Sequence, residues 1–251
     1  GTKSGEFTLK RVTRDTQFNH PLALDTLSWK KVNMMDWNPE MDKSLMSEIH
    51  EGYEKGTWFN RRLLLHGKRI KTAEETKQQL GLDPGKKTAV VFSHVLWDAT
   101  FFYGKGLFPT YEDWLIETIK AACRNKSVNW IIKLHPDLVW KMRNSGAKGS
   151  MRDTLAIKAA AGELPEHIKL VYPETDISTY SFFSITDYCL TVRGTIGMEM
   201  SCFGVPVITA GTGRYSGLGF TVDSDSKEEY LDRLANIEQI PRMSSAAIEL
   251  A

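Results

Sequence analysis

Residues 187–211, Asp187-Tyr-Cys-Leu-Thr-Val-Arg-Gly-Thr-Ile-Gly-Met-Glu-Met-Ser-Cys-Phe-Gly-Val-Pro-Val-Ile-Thr-Ala-Gly211, decide the fold. The apolar run from Tyr188 to Val192 predicts a buried strand and Arg193-Gly194-Thr195 the turn after it. Ile196 to Phe203 predicts a short helix ended by Gly204, and Val205 to Thr209 a second buried strand. The turn presents backbone N–H groups, a hydroxyl and a cation. Helix N-termini bind phosphate because their first N–H groups lack intrahelical partners and the dipole is positive there. Glu199 follows one turn in, placed to accept hydrogen bonds from ribose hydroxyls. The stretch reads as a nucleotide site.

Working outward, strand and helix patterns alternate from Thr88 onward. Strand Thr88 to Phe92 is followed by helix Tyr111 to Arg124, strand Trp130 to Leu134, helix Arg152 to Ala161, strand Ile168 to Tyr172 and helix Ser178 to Ile185. Such alternation implies right-handed crossovers and a parallel sheet covered on both faces. Thr110 is the expected N-cap of the helix from Tyr111, with Asp113 three residues on. Asp83-Pro-Gly-Lys-Lys87 forms a turn between a helix over Ala73 to Leu80 and the first strand. The fold class is therefore α/β, a doubly wound parallel sheet, and residues 72–251 are its domain.

Residues 1–71 have another texture, aromatic-rich and polar, with an amphipathic helix from about Asp42 to Lys55 carrying Leu45, Met46, Ile49 and Tyr53 on one face. They are either an extension packed on the α/β domain or the remnant of a second domain. The first alternative predicts that Trp29, Met34, Met35, Trp37, Trp58 and Phe59 pack over the sheet.

Composition narrows the function classes. The 251 residues hold 41% apolar and 25% charged residues, ordinary for a globular protein. With 32 Lys and Arg against 31 Asp and Glu, no strong basic field favours nucleic acid. The short clusters Lys68 to Lys71 and Lys86-Lys87 read as solvated surface. Cys123, Cys189 and Cys202 have no Cys-x-x-Cys spacing, which argues for a reducing compartment and against a disulfide or zinc framework. No apolar run approaches the roughly 18 residues that span a bilayer. The cytoplasm is the expected address.

Ligands of open parallel sheets bind beyond the carboxyl ends of the strands. The residues just past each strand are therefore informative: Ser93-His94-Val-Leu-Trp97-Asp98, then His135-Pro136-Asp137 preceded by Lys133, then Pro173-Glu174-Thr175-Asp176, then Arg193-Gly194-Thr195, and last Gly211-Thr-Gly213-Arg214-Tyr215-Ser216-Gly217. Structural readings exist for each. His135-Pro136 is also a plain strand terminator, and Ser93 and His94 also suit a loop that satisfies its own backbone. Glu199 on an apolar helix needs partners to offset desolvation. The three glycines around Arg214 and Tyr215 leave room for close approach of a ligand.

Lys133-Leu-His135-Pro136, Gly194-Thr195-Ile-Gly197-Met-Glu199, Phe203-Gly204-Val-Pro206-Val-Ile and the Gly211 to Gly217 loop together resemble the C-terminal, donor-binding domain of GT-B glycosyltransferases, with the nearest likeness to bacterial capsule polysaccharide biosynthesis proteins, the group that includes Kdo transferases. The likeness covers about residues 88–235. It implies a nucleotide-sugar donor, a saccharide or glycolipid acceptor and peripheral association with the inner membrane or an assembly complex. It places His135 on the nucleotide or its phosphate, Thr195 on phosphate and Glu199 on ribose. Where related turns carry consecutive hydroxyls, this chain has Arg193-Gly194-Thr195.

The chemistry so implied is displacement of a nucleotide from an anomeric carbon. Groups aimed at the leaving phosphate stabilise the transition state more than the ground state, because the negative charge grows there. His135, the Gly194-Thr195 amides and Arg193 or Arg214 are candidates, with Ser93, Lys133 and Tyr215 completing the donor site. Asp98 or His94 is the candidate general base. No Asp-x-Asp pair stands ready for Mg²⁺, so no metal or other cofactor is expected. A sugar-nucleotide epimerase of the same architecture and a non-catalytic nucleotide-sugar-binding module are the alternatives.

Overall fold

The computed structural model describes residues 11, 13–16, 19–56, 67–97, 104–138 and 152–251. In chain order its helices and strands are α1 (Thr26–Asn33), α2 (Pro39–Glu54), α3 (Ala73–Leu80), β1 (Thr88–Phe92), α4 (Tyr111–Arg124), β2 (Asn129–Lys133), α5 (Arg152–Ala161), β3 (Ile168–Val171), a 3₁₀ turn (Thr179–Ser184), β4 (Tyr188–Thr191), α6 (Ile196–Cys202), β5 (Val207–Thr209), α7 (Lys227–Ala235), a second 3₁₀ turn (Ile237–Gln239) and α8 (Ser245–Glu249). All strand pairs are parallel, in the order β3-β2-β1-β4-β5. The expected doubly wound α/β sheet is met.

Strand alternation sorts the core into two layers. Ala89 and Val91 of β1, Trp130 and Ile132 of β2, and Tyr188 and Leu190 of β4 meet α4, α5 and α7 on one face. Val90, Phe92, Ile131 and Cys189 turn to the other face, against Phe182 and Phe183 of the first 3₁₀ turn and Ile196 and Met200 of α6. Successive strand side chains point to opposite faces, so a strand buried on both sides reads as a continuous apolar run. Burying a large aliphatic or aromatic side chain contributes about 1.5–3 kcal/mol, and both layers hold many.

Local chemistry sets the element ends. Thr110 Oγ1 accepts from the Asp113 N–H at 3.0 Å and donates to its carboxylate at 2.6 Å, the cap that the sequence suggests. Thr72 and Glu75 form a capping box on α3, whose far end closes on Gly81 in the left-handed conformation. Gly204 ends α6 at φ 73°, which a side chain would strain. The segment from Ser178 to Ile185 is a 3₁₀ turn and not an α-helix. Its hydroxyls explain the difference: Ser184 Oγ and Thr186 Oγ1 donate to the carbonyls of Ser181 and Phe182.

The N-terminal segment divides. Ile49 and Tyr53 of α2 are buried in the second core layer although they precede residue 72. Helix α1 and the turn after it are different: Leu27, Met34, Met35 and Trp37 are exposed, so the packing expected of Met34, Met35 and Trp37 over the sheet does not occur. Trp29 is half-buried, while Trp58 and Phe59 lie outside the described residues.

Candidate functional site

In this strand order the chain runs outward from β1 to β2 and β3, then returns to β4 beside β1. The reversal falls between β1 and β4. Adjacent crossovers leave to opposite faces there, and a crevice opens beyond the carboxyl ends. A cleft of about 310 Å³ occupies this place, lined by Ser93, His94, Lys133, His135, Gly194 and Thr195 among others. Residues singled out in the sequence thus converge from three loops that lie far apart along the chain.

The loops are tied to one another. Ser93 Oγ accepts from the His135 N–H at 2.9 Å, joining the ends of β1 and β2. His135 Nδ1 accepts from the Asp137 N–H at 3.2 Å, which assigns the neutral ring's proton to Nε2. Lys133 is buried, its ammonium 5.9 Å from the Phe92 ring centre and 5.7 Å from that of Phe182. The turn after β4 holds itself: the Gly194 N–H goes to Thr191 Oγ1 at 3.2 Å, so this amide is not the open donor that the turn suggests. The Thr195 and Ile196 N–H groups take no partner among the described residues, and Thr195 makes no side-chain cap. Both residues line the cleft.

His94 is engaged with the strand end and the turn after β4. Its Nε2 accepts from the Val192 N–H at 3.1 Å and lies 3.1 Å from Thr191 Oγ1, while the ring stacks on Tyr111 at 4.4 Å. Burial, with His135 and Arg193 nearby, pushes its pKa down to about 3. The lone pair that would take a proton is already engaged with the backbone. Asp98, the other candidate base, lies outside the described residues.

Glu199 is placed differently from the ribose-binding role. It is buried, does not line the cleft, and its carboxylate accepts a hydrogen bond from the hydroxyl of Tyr53. Tyr53 is the one that borders the cleft. Tyr215 is also internal: its hydroxyl donates to the Gly194 carbonyl at 2.7 Å and burial raises its pKa far above the ordinary tyrosine range. It braces the turn from behind instead of meeting a ligand. Arg193 and Arg214 stand outside the cleft lining. Arg193 faces a second cavity across the β4 turn.

Two cleft residues escape sequence reading. Lys68 is not solvated surface: its ammonium donates to the carbonyls of Pro173 and Thr175, and burial lowers its pKa despite Glu174 and Asp176. Nearby, Lys71 likewise pairs with Asp176 at 2.5 Å. A basic cluster looks the same in sequence whether its heads meet water or carbonyls. Tyr53 is legible as a residue on an apolar face, but nothing local pairs it with Glu199.

A five-stranded parallel sheet with its cleft at the strand-order reversal defines a doubly wound α/β domain. The chain belongs to the family of capsule polysaccharide biosynthesis proteins, whose family model matches residues 41–247. No match is found among curated proteins. Among solved structures the chain resembles the beta Kdo 2,4 transferase of Thermosulfurimonas dismutans KpsC, with 19% identity and TM-score 0.50, covering 88% of this chain and 58% of that one. The beta Kdo 2,7 transferase of the same organism's KpsC is similar at 17% identity and TM-score 0.41, over 80% of this chain and 54% of that one. The chain therefore spans a little over half the length of these proteins. At this identity the first likeness establishes the fold. No helix among the described residues is long and apolar enough to cross a membrane.

Proposed function

We propose that this chain supplies the donor-binding part of a glycosyltransferase that uses a nucleotide-activated sugar in bacterial surface or capsular polysaccharide synthesis. Its acceptor is a saccharide or glycolipid, met at the inner membrane face or within an assembly complex. The observation that carries the reading is the cleft at the strand-order reversal, where the Thr195 and Ile196 N–H groups, the buried Lys133 ammonium and His135 converge. Family membership gives the biological setting.

In this reading the leaving phosphate lies against the turn after β4. Negative charge grows on it as the glycosidic bond breaks, and two preorganised N–H donors with a nearby ammonium stabilise that charge in a site shielded from water. His135, with its proton on Nε2, donates a further hydrogen bond. The exposed ring of Tyr172 borders the same cleft and is open to stacking by a nucleoside. His94 orients the turn through the Val192 amide. The acceptor's base is then Asp98 or a group on another domain.

A calorimetric titration with CMP, UDP and GDP tests this. One of them is expected to bind, and His135→Ala to weaken it by about tenfold, the loss of one charge-assisted hydrogen bond. Absence of binding by all three overturns the assignment.

A further inference from the structure

The loop after β3 runs Tyr172-Pro173-Glu174-Thr175-Asp176, and Tyr172, Pro173 and Thr175 line the cleft at the strand-order reversal. Strand β3 is the outermost strand of the sheet, with β2 on one side and no strand on the other. A loop in that place needs another anchor, because its backbone polar groups otherwise turn to water. Lys68 supplies it. Its ammonium donates to the carbonyls of both Pro173 and Thr175, and Lys68 itself lines the same cleft.

The neighbours of Lys68 make this contact part of a seam. The Arg69 N–H donates to the Asp176 carbonyl at 2.7 Å and the Ser178 N–H to the Arg69 carbonyl at 2.9 Å, which pairs Arg69 with Ile177 in a parallel bridge. The Lys71 N–H donates to Ser181 Oγ at 2.8 Å. The Asp176 carboxylate gathers Arg69 Nη2 at 3.0 Å, Lys71 Nζ at 2.5 Å and Gln79 Nε2 of α3 at 2.9 Å. Those bonds hold the far end of the loop, at Asp176, whereas Lys68 reaches its middle. Two carbonyls two residues apart meet one ammonium when the chain between them curves, so Lys68 imposes a curve on the segment that follows Tyr172. The Tyr172 ring is 46% exposed, and its direction follows the backbone beneath it more than side-chain packing.

We propose that Lys68 is a positioning residue for the nucleoside, holding the loop after β3 in the curve that sets the Tyr172 ring as a stacking platform. The proposal rests on the donor-site reading of the cleft, and in it Lys68 touches no reacting atom. A platform fixed before the ligand arrives avoids the ordering cost of binding, which is how preorganisation raises affinity. Without the ammonium both carbonyls turn to water, and the loop has to be ordered anew at each binding event. Lys68 precedes residue 72, where the strand and helix pattern of the domain begins, so chain from outside that pattern finishes the cleft wall.

The test is a double-variant cycle read by calorimetric affinity for whichever of CMP, UDP and GDP binds best. Lys68→Met and Tyr172→Ala are each expected to weaken it by about tenfold, the scale of one stacking contact. The double variant is expected to be little weaker than either single one, because removing a platform that is no longer held costs little more. Lys68→Arg, whose guanidinium has donors for both carbonyls, is expected to recover most of the affinity. If Lys68→Met fails to fold, Lys68→Gln, a shorter donor, takes its place in the cycle with the same non-additivity expected. Losses that add in the double variant make Lys68 a plain charge in the cleft and overturn the proposal, as does unchanged affinity in either single variant. Failure of all three nucleotides to bind the unaltered chain is a different result: it removes the donor-site reading, and this proposal with it, before any variant is compared.

Discussion

The hydroxyl of Tyr53 donates a hydrogen bond to the carboxylate of Glu199, across 146 positions of sequence. One residue comes from helix α2, which the texture of the sequence sets apart from the sheet. The other comes from α6, beside the candidate phosphate turn. The bond fastens the N-terminal segment to the site. It also provides a partner for a carboxylate that is 7% exposed in an apolar layer.

Tyr53→Phe is expected to lower stability by about 1–3 kcal/mol, since the buried acceptor loses a donor while the ring volume is kept. Urea denaturation of Tyr53→Phe, Glu199→Gln and the double variant measures the coupling, expected at about 0.5–3 kcal/mol. Strict additivity would show that the pair does not act as a unit.

Gly197 supports a prediction of unusual sign. Alanine in a helix interior is ordinarily better than glycine by about 0.5–1 kcal/mol. At this position its Cβ would lie 2.2 Å from the Tyr215 hydroxyl, which is held on the Gly194 carbonyl in the core. Gly197→Ala is therefore expected to destabilise by about 1–3 kcal/mol through overpacking. Tyr215→Leu in the same chain is expected to recover part of that loss, as judged by the denaturation midpoint.

The pH dependence of stability carries the signature of His94. Its pKa is about 3 in the fold against about 6.5 in an unfolded chain. The unfolded state therefore binds the proton first, and stability is full above about pH 6.5 and falls as pH drops toward 3, by at most about 1.4 kcal/mol per unit. Asp153 opposes this: its buried carboxyl is raised to about 6, so its contribution is present at low pH and lost as pH rises through that value. Comparison with His94→Gln, whose amide oxygen still accepts from Val192, isolates the histidine. A variant with an unchanged pH profile would show that His94 does not titrate on unfolding in this window.

Nucleotide affinity is expected to survive EDTA, because the leaving phosphate in the proposed site meets N–H donors and the Lys133 ammonium. Lys133→Met is expected to weaken binding by about tenfold or more, as loss of a charged partner does. A strict Mg²⁺ requirement would assign charge neutralisation to a metal, with Asp98 and Asp137 as first candidates for its ligands.

Much of the architecture is written in local sequence. The continuous apolar runs at Thr88 to Phe92 and Tyr188 to Thr191, the Thr110 cap and the Gly204 stop each depend on neighbours a few residues away, and each is found where the pattern places it. The crowding of polar residues at one strand edge is legible too, because a parallel sheet sends every carboxyl end to the same side. Helix α7 is legible after the fact in its Ser226 cap and the i, i+4 pair Tyr230 and Leu234, while α8 is short and carries little beyond its Ser244 cap.

Tertiary structure alone decided the rest. Strand order, and with it the position of the crevice between β1 and β4, depends on pairings between distant segments. Direction after a turn is equally invisible: Arg193 and Gly194 are neighbours in the chain, yet one lines the cavity beside Tyr111 and Trp114 and the other the cleft beyond β1 and β4. Lys68 meets carbonyls more than a hundred residues on, and Glu199 meets Tyr53. Periodicity and turn chemistry act over a few residues and can be read along the chain. The partner of a long polar side chain is set by whatever the whole fold brings within about 3 Å, and no local pattern carries that information.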